Sequence, residues 1–182
     1  MLLASNKRPE MLYAALELRC GVEARLNEYL QPQEEAGLKL KQGWRIPVMG
    51  KAVDPGKRWG DRVFRVDVYT ADAPMRSLLY TPVRARLRNL AGQMNPLLHA
   101  AKNVRDDRWW ASKQALLEQV VDELSFSTKG QLLAVPVVDP KQGTVRMYME
   151  EPFTDLQKTL TPGKMTAMHV QWLDDDGLEA SE

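Results

Sequence analysis

Two polar groups of residues have the side-chain types that acid–base or phosphate chemistry requires. Arg19 and Glu23 lie four residues apart in a helical pattern, and His99 lies in the stretch RLRNLAGQMNPLLHAAK at 86–102. A histidine or a carboxylate can move a proton near neutral pH, and a guanidinium can stabilise negative charge on a phosphate. Arg19, Glu23 and His99 are therefore the candidate catalytic residues.

The element that must position the first group is a long helix. The pattern PEMLYAALELRCGVEARLNEYL predicts a helix from Pro9 to Leu30, with Pro32 marking its exit. At about 100° per residue, Arg19 and Glu23 occupy the middle of its apolar seam. Charges inside such a seam need either a structural partner or a ligand, and the sequence leaves both open. The predicted seam is Leu12, Leu16, Arg19, Glu23, Leu26 and Leu30.

A basic segment surrounds the histidine. Six basic residues and no acid lie from Arg76 to Arg105, although the net charge of the chain is only +1. On a straight helix from Pro82 to about Asn103 the cations share the side opposite the apolar residues, and Pro96 predicts a kink or a break. This side is either a solvated face or a ridge that binds anions or RNA. The residues of the predicted basic ridge are Arg84, Arg88, Asn95, His99, Lys102 and Arg105.

The other elements predict a change from helical to strand periodicity along the chain. RVFRVDVYT near 62–70 alternates as a strand, and its charges Arg65 and Asp67 would join the first polar group if the sheet approaches it. A third helix follows Asp106, and Gly130 is expected to end that region. A hairpin around DPKQG, a short helix near 154–160 and a final strand complete the pattern. The inward residues of the hairpin and final strand are predicted to be Val145, Met147, Met149, Met168, Val170 and Trp172.

The expected fold class is α+β, with three main helices packed on a small antiparallel sheet and a β-rich C-terminal half. One domain is expected over residues 1–182. Its helical part covers about 9–125, its β-rich part about 131–173, and an acidic tail occupies 174–182.

The sequence lacks the signatures of several chemistries. It has no Gly-rich phosphate loop and no nucleophile elbow, and its single Cys20 and two histidines have no metal-ligand spacing. We expect no cofactor and no metal ion. Cys20 is expected to be a buried helical thiol and His169 a surface residue. The short apolar start and the lone cysteine predict a cytoplasmic protein without a membrane segment.

Two segments resemble the HEPN class of helical domains. The resemblance is carried by ELRCGVE on the first helix and NPLLHAAK at the end of a later one, and it covers the helical half of the chain. Many HEPN domains are RNases or accessory parts of prokaryotic defence and toxin systems. Active members place an arginine shortly before a histidine, so the resemblance implies metal-independent RNA cleavage by that pair.

The spacing in this chain departs from the HEPN pattern. Arg88 lies eleven residues before His99, about 16 Å along a straight helix, which is too far for both to contact one phosphate. Unless the break at Pro96 folds them together, Arg19 must supply the cation. The resulting set of Arg19, Glu23 and His99 then spans two helices.

The segregated charge and the lack of a catalytic spacing favour a small binding or adaptor module without catalysis. Such an accessory subunit would dock a protein or a nucleic acid, RNA or DNA, through the basic ridge and through tryptophans such as Trp109 or Trp110. One alternative is a HEPN-type endoribonuclease. The other is a homo-oligomeric structural subunit, in which the acidic tail meets the basic ridge of a neighbouring copy.

Overall fold

The structure is a computed structural model that describes residues 8–35, 61–71, 75–99, 105–139, 144–149 and 165–173. These residues form the predicted α+β fold, in which three main helices pack on a three-stranded antiparallel sheet. The predicted helix near 154–160 and the acidic tail at 174–182 lie outside the described residues. In chain order, the described elements are α1 (Arg8–Glu35), β1 (Val63–Thr70), β2 (Arg76–Tyr80), α2 (Ala85–Gln93), α3 (Asn95–Leu98), α4 (Asp107–Ser127), β3 (Val137–Asp139), β4 (Thr144–Arg146) and β5 (Met165–Leu173).

α1 buries a different face from the one that its leucines predict. Leu12 and Leu16 are 37% and 48% exposed, so the predicted seam is wrong in its N-terminal half. The buried face includes small residues because α4 packs closely against α1. A Cβ on Gly21 of α1 would lie 2.9 Å from Leu124 Cδ2 of α4. Helices that approach closely need small side chains at the contact. The buried residues of α1 are Met11, Ala14, Ala15, Val22, Arg25, Leu26, Tyr29 and Leu30.

The ends of α1 follow the prediction at one side only. The helix begins at Arg8, so Pro9 lies in its first turn as predicted, but it continues through Pro32 to Glu35. A proline inside a helix removes one main-chain hydrogen bond. The burial of Tyr29 and Leu30 directly before it supplies packing that local propensity does not include.

β1 is the central strand of a sheet with the order β2-β1-β5, and both of its neighbours are antiparallel. The predicted alternation is confirmed, because Phe64, Val66 and Val68 are at most 1% exposed and belong to the core. Phe64 stacks on Tyr80 with a centroid separation of 4.6 Å. Burial raises the pKa of the Tyr80 hydroxyl well above its usual range.

β5 forms an edge of this sheet. Met168 and Val170 pack against the core as predicted, and the Trp172 ring lies 5.6 Å from that of Phe64. Trp172 nevertheless stays 41% exposed, so its predicted burial is wrong. The reason is its position on an edge strand, which has a neighbour on one side only among the described residues.

The predicted break at Pro96 is confirmed. α2 begins at Ala85 rather than at Pro82 and ends at Gln93, and α3 adds a single turn before His99. Pro96 lies at the start of α3, where its missing N–H removes no helical hydrogen bond. The straight helix assumed for the basic ridge is therefore wrong.

α4 begins where its cap predicts. The Asp106 carboxylate accepts a hydrogen bond from Trp109 N (2.8 Å), which is an N-cap contact. Leu116, Leu117 and Val120 are buried as expected. After α4, β3 and β4 form the predicted antiparallel hairpin, and Met147 and Met149 are buried beside it.

Gly130 has a different role from the predicted helix stop. α4 already ends at Ser127, and Gly130 lies against β2 instead. A Cβ at this position would lie 2.7 Å from Leu79 O and 2.8 Å from Thr81 N. Gly130 N donates to the side-chain hydroxyl of Thr81 at 3.0 Å, so the segment after α4 is bonded directly to the residue that follows β2.

Arg25 connects α1 to the segments at this end of the sheet. Its side chain is 4% exposed, and it donates to Ser127 O (2.9 Å), Leu133 O (2.8 Å) and Thr81 O (3.3 Å). It also pairs with Glu28 Oε2 at 3.5 Å. One guanidinium thus donates hydrogen bonds to main-chain carbonyls at the end of α4, after β2 and before β3. Without Arg25, these carbonyls would lose a hydrogen-bond donor.

Candidate functional site

The predicted residues Arg19, Glu23 and Asn95 meet where α1 crosses the start of α3. Arg19 Nε donates to Glu23 Oε1 at 3.0 Å, and Arg19 Nη1 donates to Asn95 Oδ1 at 2.6 Å. The Arg19 and Glu23 side chains are 18% and 28% exposed, so they lie at the flank of the buried face rather than in its middle. Among the described residues, the remaining nitrogen, Arg19 Nη2, has no hydrogen-bond partner.

His99 follows one turn after Asn95, at the end of α3. Its side chain is exposed and makes no hydrogen bond to any described residue. Arg105 binds the backbone of the same turn, donating from Nη2 to Pro96 O and to His99 O, the latter at 3.5 Å. We call Arg19, Glu23, Asn95, His99 and Arg105 the α3 cluster. It contains two guanidinium groups and one carboxylate, so donors and positive charge prevail.

A tryptophan pair adjoins the α3 cluster. Arg105 Cζ lies 4.1 Å from the centroid of the Trp109 ring, and Lys113 Nζ lies 5.6 Å from it. Trp110 meets Trp109 edge to face at 5.0 Å. Cations held over an aromatic face gain a cation–π attraction that positions them. Arg105 is thereby fixed between the α3 turn and the start of α4.

The other residues of the predicted basic ridge are engaged elsewhere. Arg84 Cζ lies 3.5 Å above the Phe126 ring, and Arg88 Nη1 donates to Val83 O at 3.1 Å. Both side chains are half-buried, so they do not form one solvated row with His99. Lys102 lies outside the described residues. The structure thus brings Arg19, Asn95, His99 and Arg105 together and leaves Arg84 and Arg88 apart from them.

Arg65 and Asp67 do not join the α3 cluster. Strand alternation places them on the face of β1 opposite to Phe64 and Val66, which belong to the core under the helices. There Arg65 Nε lies 3.1 Å from Asp67 Oδ1, and the Ser77 hydroxyl donates to the same oxygen at 2.6 Å. The ion pair is therefore a structural contact within β1, and the Ser77 hydroxyl connects it to β2.

Two further expectations concern single residues. Cys20 is exposed, so its predicted burial is wrong: the rotation of α1 that buries Ala14 and Ala15 turns this position outward. His169 is exposed on β5, as predicted. The described ranges contain no group of three or more His, Cys, Asp or Glu side chains that could hold a metal ion.

Glu123 on α4 is a buried acid that the sequence prediction did not include. The residue is 7% exposed and pairs with Arg86 Nη1 at 3.4 Å across the contact with α2. Its helical spacing from the buried Leu116 and Val120 was the signal that could have identified it. Because Arg86 is neutralised in this way, it adds little free positive charge to the α3 cluster.

The fold and the cluster define an α+β protein with a small donor-rich surface at the junction of three helices. None of the described helices is both long enough and apolar enough to cross a bilayer. No protein family, no curated protein and no solved structure matches the chain.

Proposed function

We propose that this protein is a binding module that docks single-stranded RNA through the α3 cluster. The observation that carries the proposal is the bond from Arg19 Nη1 to Asn95 Oδ1, which leaves Arg19 Nη2 unpaired among the described residues. The contact fixes a guanidinium beside the Asn95 amide, four residues before the exposed His99. Fixed guanidinium and amide donors suit phosphate oxygens and the edges of unpaired bases.

Arg105 and Trp109 favour a nucleic acid over other anions. Single-stranded nucleic acids are bound by cations along the backbone together with planar groups on which bases stack. The guanidinium of Arg105, supported by the Trp109 ring at 4.1 Å, offers a cation and a planar group at one place.

The test measures the binding of a fluorescein-labelled single-stranded RNA by anisotropy at several NaCl concentrations. Each phosphate contact to a single strand contributes a slope of about −0.7 in log K against log salt. With Arg19 and Arg105 as the contacts, the slope expected is about −1.4, and Arg105→Gln should reduce its magnitude by about 0.7.

The matched control for this experiment is Lys129→Ala. Lys129 is an exposed cation just beyond the far end of α4, so removing it changes net charge equally but leaves the cluster intact. Binding that is independent of salt, or that is weakened equally by Arg105→Gln and Lys129→Ala, would contradict the proposal.

A second candidate function is metal-independent RNA cleavage at the same cluster. It is supported by one observation, the bond from Arg19, which is also paired with Glu23, to Asn95, four residues before His99. In such a reaction the imidazole of His99 would take the proton of a 2′-hydroxyl, whose oxygen forms a bond to phosphorus as the P–O5′ bond breaks. The leaving 5′-oxygen would take a proton from water, and Arg19 would stabilise the negative charge that develops on the phosphate.

Cleavage is tested with a single-stranded RNA in the presence of EDTA and with the same sequence made of DNA. An RNase of this kind cleaves only the RNA, and His99→Ala lowers the rate by about 10²-fold or more. Gln93→Ala, an exposed residue at the end of α2, serves as the control and should leave the rate unchanged. Cleavage that survives His99→Ala, or no cleavage at all, excludes this function.

A further inference from the structure

The outer edge of β5 has no strand beside it among the described residues. The opposite edge of the same sheet differs, because residues 131 and 132 cover β2. Leu79 N donates to Gln131 Oε1 at 2.9 Å, and Leu132 N donates to Leu79 O at 3.0 Å. Among the described residues, the sheet therefore has one edge that is covered at Leu79 and one edge, β5, that has no neighbour.

The ladder shows which main-chain groups of β5 point outward. In antiparallel strands, consecutive residues direct their N–H and C=O groups to alternate sides. The N–H and C=O groups of Leu79 both form bonds on the side away from β1. Arg65, which lies opposite Leu79, therefore directs its own N–H and C=O groups away from β2 and toward Gln171 of β5. Gln171, His169 and Ala167 then bond to β1, and the main-chain groups of Met168 and Val170 point away from the sheet.

Apart from one irregularity near its start, β5 also lacks the features that keep edge strands from pairing. Natural edge strands are short, charged, bulged or interrupted by proline. β5 is nine residues long, and MTAMHVQWL contains no lysine, arginine, acid or proline. The only irregularity in its pairing with β1 is near its start, beside Thr70, so Ala167–Leu173 is regular.

We propose that β5 pairs with β5 of a second copy of this chain, antiparallel and centred on His169. This interface goes beyond the proposed function and uses neither the α3 cluster nor the acidic tail. His169 is the midpoint of Met165–Leu173, and in this register Met168 and Val170 carry the main-chain hydrogen bonds between the two strands. It places His169 opposite His169, Ala167 opposite Gln171 and Met168 opposite Val170, and the two sheets become one of six strands.

Charge complementarity identifies the second copy as the occupant. In the sequence, β5 is preceded by Lys164 and followed by Asp174, and both lie five residues from His169. In this register the sequence position of Lys164 in one copy is opposite that of Asp174 in the other, so the residues that flank β5 in the sequence have complementary charges. The strand between them is uncharged, so self-pairing places no permanent like charges opposite each other.

The experiment uses the full chain in a Cys20→Ser background, because the native Cys20 is exposed. In the proposed register, the two His169 positions form a non-hydrogen-bonded pair, whose Cβ atoms lie close enough for a disulfide. His169→Cys should therefore form covalent dimers under mild oxidation. Ala167→Cys alone should not, but an equimolar mixture of Ala167→Cys and Gln171→Cys should.

A second measurement follows the mass in solution against protein concentration. The unmodified chain is expected to show a monomer–dimer equilibrium, and His169→Lys should remain monomeric at concentrations where the parent is dimeric, because two lysines then face each other. Met75→Lys, an exposed position beside the covered edge, is the control and should still dimerise. Circular dichroism of His169→Lys should match the parent.

Three results would overturn the proposal. These are a chain that stays monomeric at every concentration, a dimer that His169→Cys does not cross-link, and a dimer that persists in His169→Lys. Pairing of β5 with an extended peptide from another protein would appear as the first of these. None of these results bears on RNA binding by the α3 cluster, so the two proposals fail independently.

Discussion

Replacing Arg25 by alanine is expected to lower the free energy of unfolding by about 3–5 kcal/mol. The residue is 3% exposed and donates to the carbonyls of Thr81, Ser127 and Leu133. Removing it leaves a cavity and withdraws a donor from three carbonyls at once. Each buried group that loses its only partner costs about 1–3 kcal/mol. Ser127 O retains the Thr81 hydroxyl at 3.0 Å, which limits the loss there.

The measurement is equilibrium unfolding in urea, with two companion variants. Arg25→Lys should recover only part of the loss, because an ammonium cannot reach carbonyls on three segments as a planar guanidinium does. Glu28→Gln removes only the 3.5 Å ion pair between Arg25 and the half-exposed Glu28. It should lower the free energy of unfolding by less than about 1 kcal/mol. An Arg25→Ala variant within about 1 kcal/mol of the parent would show that the carbonyl contacts do not stabilise the fold.

The second large effect is expected for Gly130→Ala, at about 1–3 kcal/mol of destabilisation. The new Cβ would lie 2.7 Å from Leu79 O and 2.8 Å from Thr81 N, and both atoms belong to the main chain. A side chain could rotate away, but here the chain after α4 or the end of β2 must move. That movement also strains the bond from Gly130 N to Thr81 Oγ1.

Gly92→Ala is the matched control, and its effect on the free energy of unfolding should have the opposite sign to that of Gly130→Ala. Gly92 lies in α2, and a Cβ there would meet nothing within 4 Å. Alanine is favoured over glycine in helices by about 0.5–1 kcal/mol, so this variant should be stabilised. If both variants change the urea midpoint in the same direction, the close contact at Gly130 is not what limits substitution there.

The two proposals concern different parts of the fold. The α3 cluster depends on Arg19 and Arg105, which are held by partners on other helices, so its geometry depends on helix packing. The β5 edge depends only on the sheet and on the strand sequence. A chain that binds RNA and also dimerises would carry two α3 clusters in each assembly.

Much of the element pattern could be predicted because it follows from local periodicity. The alternation of β1, the Asp106 cap of α4, the break at Pro96 and the β3–β4 hairpin are confirmed. Each depends on residues a few positions apart, whose spacing matches the repeat of a strand or a helix or the geometry of a cap or turn. The continuation of α1 through Pro32 to Glu35 was not predicted, because a proline usually marks the end of a helix in a local pattern.

The sequence by itself determined the fold class and the residue types available for chemistry, while only the tertiary structure decided which of them meet. The apolar seam predicted for α1 is wrong in its N-terminal half, because Ala14 and Ala15 are buried there instead of Leu12 and Leu16. Small residues such as Gly21 allow α4 to approach closely. Arg19 and Asn95 are 76 residues apart, so no local pattern could show their bond. Periodicity identifies a face, but the neighbour that packs on it determines which face is buried.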